Sequence, residues 1–136
     1  MDKDHFANLS KMLLEHKNYL AKLNKDHPVT LDNPFIQRYL ADIKNGNCNL
    51  HCYMEPDKYF LIVQEQPIAL LIVDFWVQTV YRRKGIATKI LSQLEPPVKL
   101  ECYDNNFPAI SLYQKLGFVR MEDWPSAENC HWWLKF

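Results

Sequence analysis

The stretch from Val77 to Leu91, Val-Gln-Thr-Val-Tyr-Arg-Arg-Lys-Gly-Ile-Ala-Thr-Lys-Ile-Leu, holds the residues best suited to chemistry. A β-rich run ends there, a basic turn with one glycine follows, and a helical stripe of Ile86, Ile90, Leu91 and Leu94 opens directly. The first N–H groups of a helix lack intrahelical acceptors, and the helix dipole makes that end electropositive. Phosphate suits such a terminus, above all where glycine lets the backbone come close. Arg82, Arg83 and Lys84 add cationic side chains, while Gly85 and Ala87 keep the approach clear. The turn is no Walker loop, because Lys84 precedes its glycine and no Gly-Lys-Ser/Thr follows. Nor is it a dinucleotide fingerprint, which needs three glycines where one stands. The competing reading is a solvated basic turn that caps a helix.

A second cluster, Cys48, His51 and Cys52, has metal-binding residue types. On a strand Cys48 and Cys52 face one side and His51 the other, and no second ligand pair lies nearby. Ordinary packing cysteines are expected, and no metal.

These residues must be positioned by a rather small chain. Its 136 residues suffice for one domain over 1–136 and are too few for two comfortable ones. With 48% hydrophobic and 24% charged residues it is ordinary globular rather than disordered. Sixteen basic and 16 acidic residues cancel, which argues against a nucleic-acid partner. The longest apolar run, Ile68 to Val73, is strand-length, so no membrane span is expected. The charged start, Met1 to Asp4, lacks a signal-peptide core, and four cysteines then imply reduced thiols in the cytoplasm.

Phe6, Leu9, Leu13, His16, Leu20 and Leu23 form one helical stripe. A second helix begins with Asn33 as N-cap and Pro34 at the first helical position, and Gly46 closes it. Strands follow over Leu50 to Met54, Tyr59 to Gln64 and Pro67 to Gln78, the last long enough for one strand or two short ones. After the helix opened by Gly85 come a strand from Val98 to Tyr103 and a helix from Pro108 to Leu116. Two final strands run from Phe118 to Glu122 and from His131 to Phe136. The order implies a mixed α/β domain with both hairpins and crossovers.

Arg82-x-x-Gly85-x-Ala87 resembles the Arg/Gln-x-x-Gly-x-Gly/Ala loop of the GNAT superfamily of N-acetyltransferases. Val77 stands where that family places a strand valine. Downstream, Asn106-x-x-Ala109-x-x-Leu112-Tyr113-x-x-x-Gly117-Phe118 resembles the family's second cofactor motif. The two blocks cover roughly residues 72 to 120, in the family's order. The resemblance implies a GNAT-like α/β (α+β) fold: a twisted, mostly antiparallel sheet with a V-shaped splay between central strands, flanked by helices. It implies acetyl-CoA as donor, with the amides of Arg83, Lys84, Gly85, Ile86, Ala87 and Thr88 on the pyrophosphate. The strand ending in Phe75, Val77 and Thr79 would pair with the pantetheine arm, as a sheet edge accepts a strand. Asn106 would contact the pantetheine or adenosine side, and Tyr113 would direct its hydroxyl at the thioester sulfur as a general acid. Packing in the core is the alternative for Tyr113.

The function so implied is acetyl transfer to a primary amine of a small molecule or a peptide. Residues 1–46 would form a helical acceptor-side region and 47–136 the cofactor-binding core. The base is the open place. Histone-acetylating relatives carry a strand glutamate eleven residues before the loop's Arg/Gln, where Leu71 stands. Asp74 is the base candidate, with a structural aspartate as its alternative and Glu101 as a second carboxylate. Asp74 is expected to oppose both Leu71 and Val77 by strand parity. Residues 1 to 45 look wholly helical, whereas the family's usual first strand precedes its early helices. Trp76, Trp124, Trp132 and Trp133 are candidates to line an acceptor pocket. A coenzyme A-binding sensor without turnover and an interaction domain are the other readings. The assembly state is open, a homodimer included.

Overall fold

The computed structural model describes residues 1–136. Helices α1 (Lys3–Leu23) and α2 (Pro34–Asn45) lead into strands β1 (Leu50–Glu55), β2 (Tyr59–Gln64) and β3 (Leu70–Val77). Then come α3 (Ile86–Ser92), β4 (Val98–Tyr103), α4 (Phe107–Lys115), β5 (Val119–Met121) and β6 (Cys130–Lys135). The strands form one sheet in the order β1-β2-β3-β4-β6-β5. Every neighbouring pair is antiparallel except β3 and β4, which α3 joins by a crossover. The expected mixed α/β architecture and the wholly helical start are both present.

Local chemistry explains the elements. Asp2 caps α1 by accepting from the His5 amide at 2.8 Å. Asn33 does the same for α2, taking the amides of Phe35 and Ile36 at 2.9 and 3.3 Å. Gly46 ends α2 at φ +67°, the left-handed turn that glycine adopts without a Cβ penalty. In β2, Phe60, Leu61, Ile62 and Val63 are all buried, so this strand is covered on both faces. Phe60 and Ile62 join Leu9, Met12 and Leu13 of α1 with Leu40 of α2. Leu61 and Val63 join Leu91, Leu100, Phe118 and Trp133 on the other face. At roughly 2 kcal/mol per buried large aliphatic chain, these two cores hold the helices to the sheet.

The third strand is single, and shorter than the sequence suggested. Pro67 to Ala69 precede it, and Gln78 follows it. Thr79 is therefore not a strand residue. It opens a 3-10 turn, Thr79–Tyr81, after the Gln78 amide bonds to the Lys58 carbonyl at 2.8 Å. Cys48 likewise sits in a 3-10 turn before β1, at φ +57°, so strand parity does not relate it to Cys52.

A bulge interrupts β3. Ile62 pairs with Asp74 and Val63 with Ile72, which leaves Val73 extra. Ile72 packs with the α3–α4 core, and Val73 with the α1–α2 core. Strict alternation would return Asp74 to the Ile72 side; the extra residue instead turns it toward α1 and α2. The expected opposition of Asp74 and Leu71 is thereby corrected. Opposition to Val77 stands, because alternation resumes with Phe75 on the α3–α4 side and Trp76 on the α1–α2 side.

The parallel pairing of β3 and β4 lasts for two positions, Leu70↔Val98 and Leu71↔Lys99. From Ile72 to Val77 and from Leu100 to Tyr103 the two strands have no partner across the gap. This is the V-shaped splay.

Candidate active site

The splay opens a slot of about 90 Å³. Its walls include His16 of α1, Asp74 and Phe75 of β3, Cys102 of β4, Asn106 at the start of α4, and Tyr113 of α4. Because the gap runs through the sheet, it is flanked by the α1–α2 layer on one face and the α3–α4 layer on the other. Backbone groups of β3 that would have bonded to β4 instead face this space, ready for an extended ligand.

At the end of β3 the chain turns through two left-handed residues, Arg83 at φ +60° and Gly85 at φ +78°. The amides of Arg83, Lys84, Gly85, Ile86, Ala87 and Thr88 donate to no protein acceptor. The first bond back into the turn is from Lys89 to the Gly85 carbonyl at 3.0 Å. A Cβ on Gly85 would meet nothing within 4 Å, so the protein leaves open space over this turn. Six unpartnered backbone donors lie in the turn where phosphate was expected.

Arg82 also makes contacts within the protein. Its guanidinium stacks 4.4 Å above Trp76 and its Nε donates to the Val77 carbonyl at 2.8 Å. It braces the turn against the strand end. Lys84 lies 5.8 Å over the Tyr81 ring, and Arg83 is exposed.

Tyr113 is half-buried against Phe118, with ring centroids 5.6 Å apart. Its side chain lines the slot, and, unlike those of Tyr19 and Tyr39, its hydroxyl makes no hydrogen bond to protein. Burial pushes its phenol above the ordinary range, and the neighbouring Cys102 and Asp74 add to the effect. It therefore stays protonated at neutral pH. Asn106 accepts a hydrogen bond from the Tyr19 hydroxyl at 3.0 Å, which ties α1 to α4 at the slot's end.

Asp74 is 3% exposed and fully engaged. Lys17 donates to its Oδ1 at 2.8 Å and Tyr39 to its Oδ2 at 2.6 Å. His16 Nδ1 stands 3.2 Å from Oδ1, close but not aligned as a hydrogen bond. Burial by itself would raise the carboxyl's pKa; contact with His16 and the charge of Lys17 outweigh it and bring the value to about 2. A carboxylate so acidic is a weak proton acceptor at neutral pH.

His16, Lys17, Tyr19 and Tyr39 join the site without having been foreseen as its members. One signal was present: His16 is the single titratable member of an otherwise apolar helical stripe. Of the tryptophans, Trp76 stacks against His16 and Tyr19, at 5.3 and 5.5 Å. Trp124 and Trp132 pack on each other at 6.4 Å, and Trp133 is buried in the core, none of them lining the slot. Glu101 accepts the Ala127 amide at 3.1 Å. A wider hollow of about 470 Å³ lies between α4 and the β5–β6 edge, lined by Gln114, Arg120, Glu122 and Trp133. It is shallow, its Arg120 and Glu122 charges pair at 2.5 Å, and the free amides lie elsewhere; the slot is the better site.

The model of the acetyltransferase (GNAT) domain family matches residues 39–120. A GNAT-family acetyltransferase structure from Staphylococcus aureus is 13% identical over 99% of this chain and 94% of that one, with a TM-score of 0.72. The ribosomal-protein-S18-alanine N-acetyltransferase of Escherichia coli is 16% identical over 99% and 89%, with a TM-score of 0.63. A Bacillus subtilis acetyltransferase in complex with CoA is 15% identical over 76% and 83%, with a TM-score of 0.55. No curated protein sequence matches the chain. No helix is long and apolar enough to cross a membrane.

Proposed function

The chain belongs to the GNAT acetyltransferase family, and on that premise we propose that it moves the acetyl group of acetyl-CoA to a primary amine of a small molecule or peptide by direct attack. The observation that carries this reading is the slot between β3 and β4, open beyond two paired positions. Six unpartnered amides at the adjoining turn fit a diphosphate, the feature of coenzyme A that a basic helix start suits. The Bacillus subtilis relative with CoA supports the same ligand class.

Amides of Arg83 to Thr88 would hold the diphosphate, with Arg83 and Lys84 supplying positive charge. The free edge of β3 at Phe75 and Val77 would align the pantetheine arm, with Thr79 beyond the strand end and Asn106 at the slot's end. Acetyl-CoA supplies the acetyl group as a thioester. Donors on the β3 edge stabilise charge that develops on the thioester oxygen. Holding amine and thioester together contributes several kcal/mol, about 7–11 in the best intramolecular cases. Tyr113, kept protonated by its surroundings, gives its proton to the departing sulfur.

The experiment is a melting curve with acetyl-CoA, followed by thiol release over polyamines, amino acids, aminoglycosides and N-terminal peptides. A raised melting temperature with thiol release on one amine class is expected. No shift at concentrations far above a micromolar Kd would contradict the reading. The acidity of Asp74 favours one alternative, a coenzyme A sensor without turnover; it predicts the melting shift with no thiol release on any amine.

A further inference from the structure

We propose that His16 is the proton acceptor for the incoming amine, with Asp74 as the residue that positions its ring. The inference rests on the acetyl-transfer reading and adds the base that the β3 carboxylate cannot supply.

An alkylammonium, with a pKa of about 10.4, must lose a proton before it can attack at neutral pH. The slot must therefore offer a neutral acceptor with a free lone pair. Asp74 is spent on Lys17 and Tyr39. Tyr113 retains its proton. Burial pushes the Cys102 thiol up to about 12, with Cys130 and Asp104 adding to the effect, so it too stays protonated. Glu101 also lines the slot, but it is exposed and accepts the Ala127 amide at 3.1 Å. Burial raises the Tyr103 phenol, which keeps its proton. His16 is the one imidazole among the lining residues.

Its setting suits the task. The ring is held edge-on by Phe60 at 5.9 Å and by the tilted face of Trp76 at 5.3 Å, which limits its rotation. Nδ1 is sealed from solvent and its nearest acidic atom is Asp74 Oδ1, 3.2 Å away. In the tautomer with its hydrogen on Nδ1, facing that carboxylate, the ring carries its lone pair on Nε2. The side chain keeps 11% exposure, and His16 is among the residues lining the slot. The charged groups around it are balanced: Asp74 of β3 is neutralised by Lys17 of α1, and Tyr39 of α2 is held in its neutral phenol form by burial and by Asp74's charge. Packing of α1 on the β3 bulge brings His16 and Asp74 together.

The protons balance. His16 Nε2 takes one proton from the ammonium and later releases it to solvent. The neutral nitrogen bonds to the acyl carbon as the carbon–sulfur bond breaks. Tyr113 protonates the sulfur and is reprotonated, through solvent, by the second proton that nitrogen loses.

The test compares ethylamine with 2,2,2-trifluoroethylamine, a close steric match of far lower basicity that is largely neutral at pH 7. Wild type and His16→Gln are assayed for thiol release with saturating acetyl-CoA and each amine at high concentration. For ethylamine the variant should lose about 10²–10⁴-fold, the range for a positioned base. For trifluoroethylamine it should lose less than about tenfold, because no ammonium proton has to be removed. A merely structural role would lower both rates alike. The melting shift with acetyl-CoA should survive in His16→Gln, which shows that the fold and donor site are intact. Equal losses, no loss, or donor binding by wild type without turnover of either amine would overturn His16 as the base and leave donor binding standing. Failure of the wild type to bind acetyl-CoA would instead remove the transfer reading itself.

Discussion

Asp74 carries its charge inside the protein because Lys17, Tyr39 and His16 surround it. Its pKa of about 2 lies below the ordinary value of 3.8, so the unfolded chain takes up this proton first as the solution is acidified. The stabilisation it gives is complete above pH 4 and is lost as pH falls toward 2; the difference corresponds to about 2 kcal/mol. Urea unfolding between pH 5 and 2.5 should therefore fall more steeply for wild type than for Asp74→Asn. Parallel curves would mean the carboxylate is not held by these partners. At pH 7 the substitution should cost about 3 kcal/mol, since it leaves Lys17 without its counter-charge. Tyr113→Phe separates binding from chemistry. Turnover should fall by about 10²-fold or more with affinity for acetyl-CoA kept, whereas undiminished turnover would remove the phenol as acid.

The turn between β3 and α3 depends on backbone conformation more than on side chains. Gly85→Ala places its Cβ in open space, so its cost is the left-handed φ, about 1 kcal/mol in a melting or urea experiment. Gly85→Glu sets negative charge against the phosphates and should abolish the acetyl-CoA melting shift; an unchanged shift would place the phosphates elsewhere. This element was legible in the sequence because everything it needs is local: a strand end, a glycine and a helix start within ten residues or so. Strands β2 and β4 were legible too, as apolar runs bounded by turn residues, and the Asn33-Pro34 cap announced α2. The bulge at Val73 was not, since one extra residue in a β-rich run leaves no mark in composition. The end of β3 was overrun because Gln78 and Thr79 look like strand, and only the bond from Gln78 to Lys58 shows where the chain turns away. Asp74 was named as a candidate, but its partners lie 57 and 35 residues away along the chain and meet it only through packing. Asn33→Ala should remove about 1 kcal/mol through the lost cap of α2.

Across the whole molecule, the double coverage of β2 and the single parallel pair set up the site. Helices α1 and α2 pack on one face and α3 and α4 on the other, with the slot passing between β3 and β4. Helix α1 is fastened over that slot by Lys17 to Asp74, Tyr19 to Asn106, and the Asn105 amide to the Leu23 carbonyl at 2.9 Å. The donor is thus expected from the α3–α4 side, where the free amides are, and the acceptor beside α1. The most direct measurement is backbone amide NMR of the uniformly labelled protein titrated with acetyl-CoA. Saturable shifts should concentrate at residues 83–88 and at Phe75 to Val77, with β5 and β6 little changed. Saturable shifts confined to Arg120, Glu122 and the wider hollow, or none at millimolar ligand, would contradict a donor held in the opened sheet.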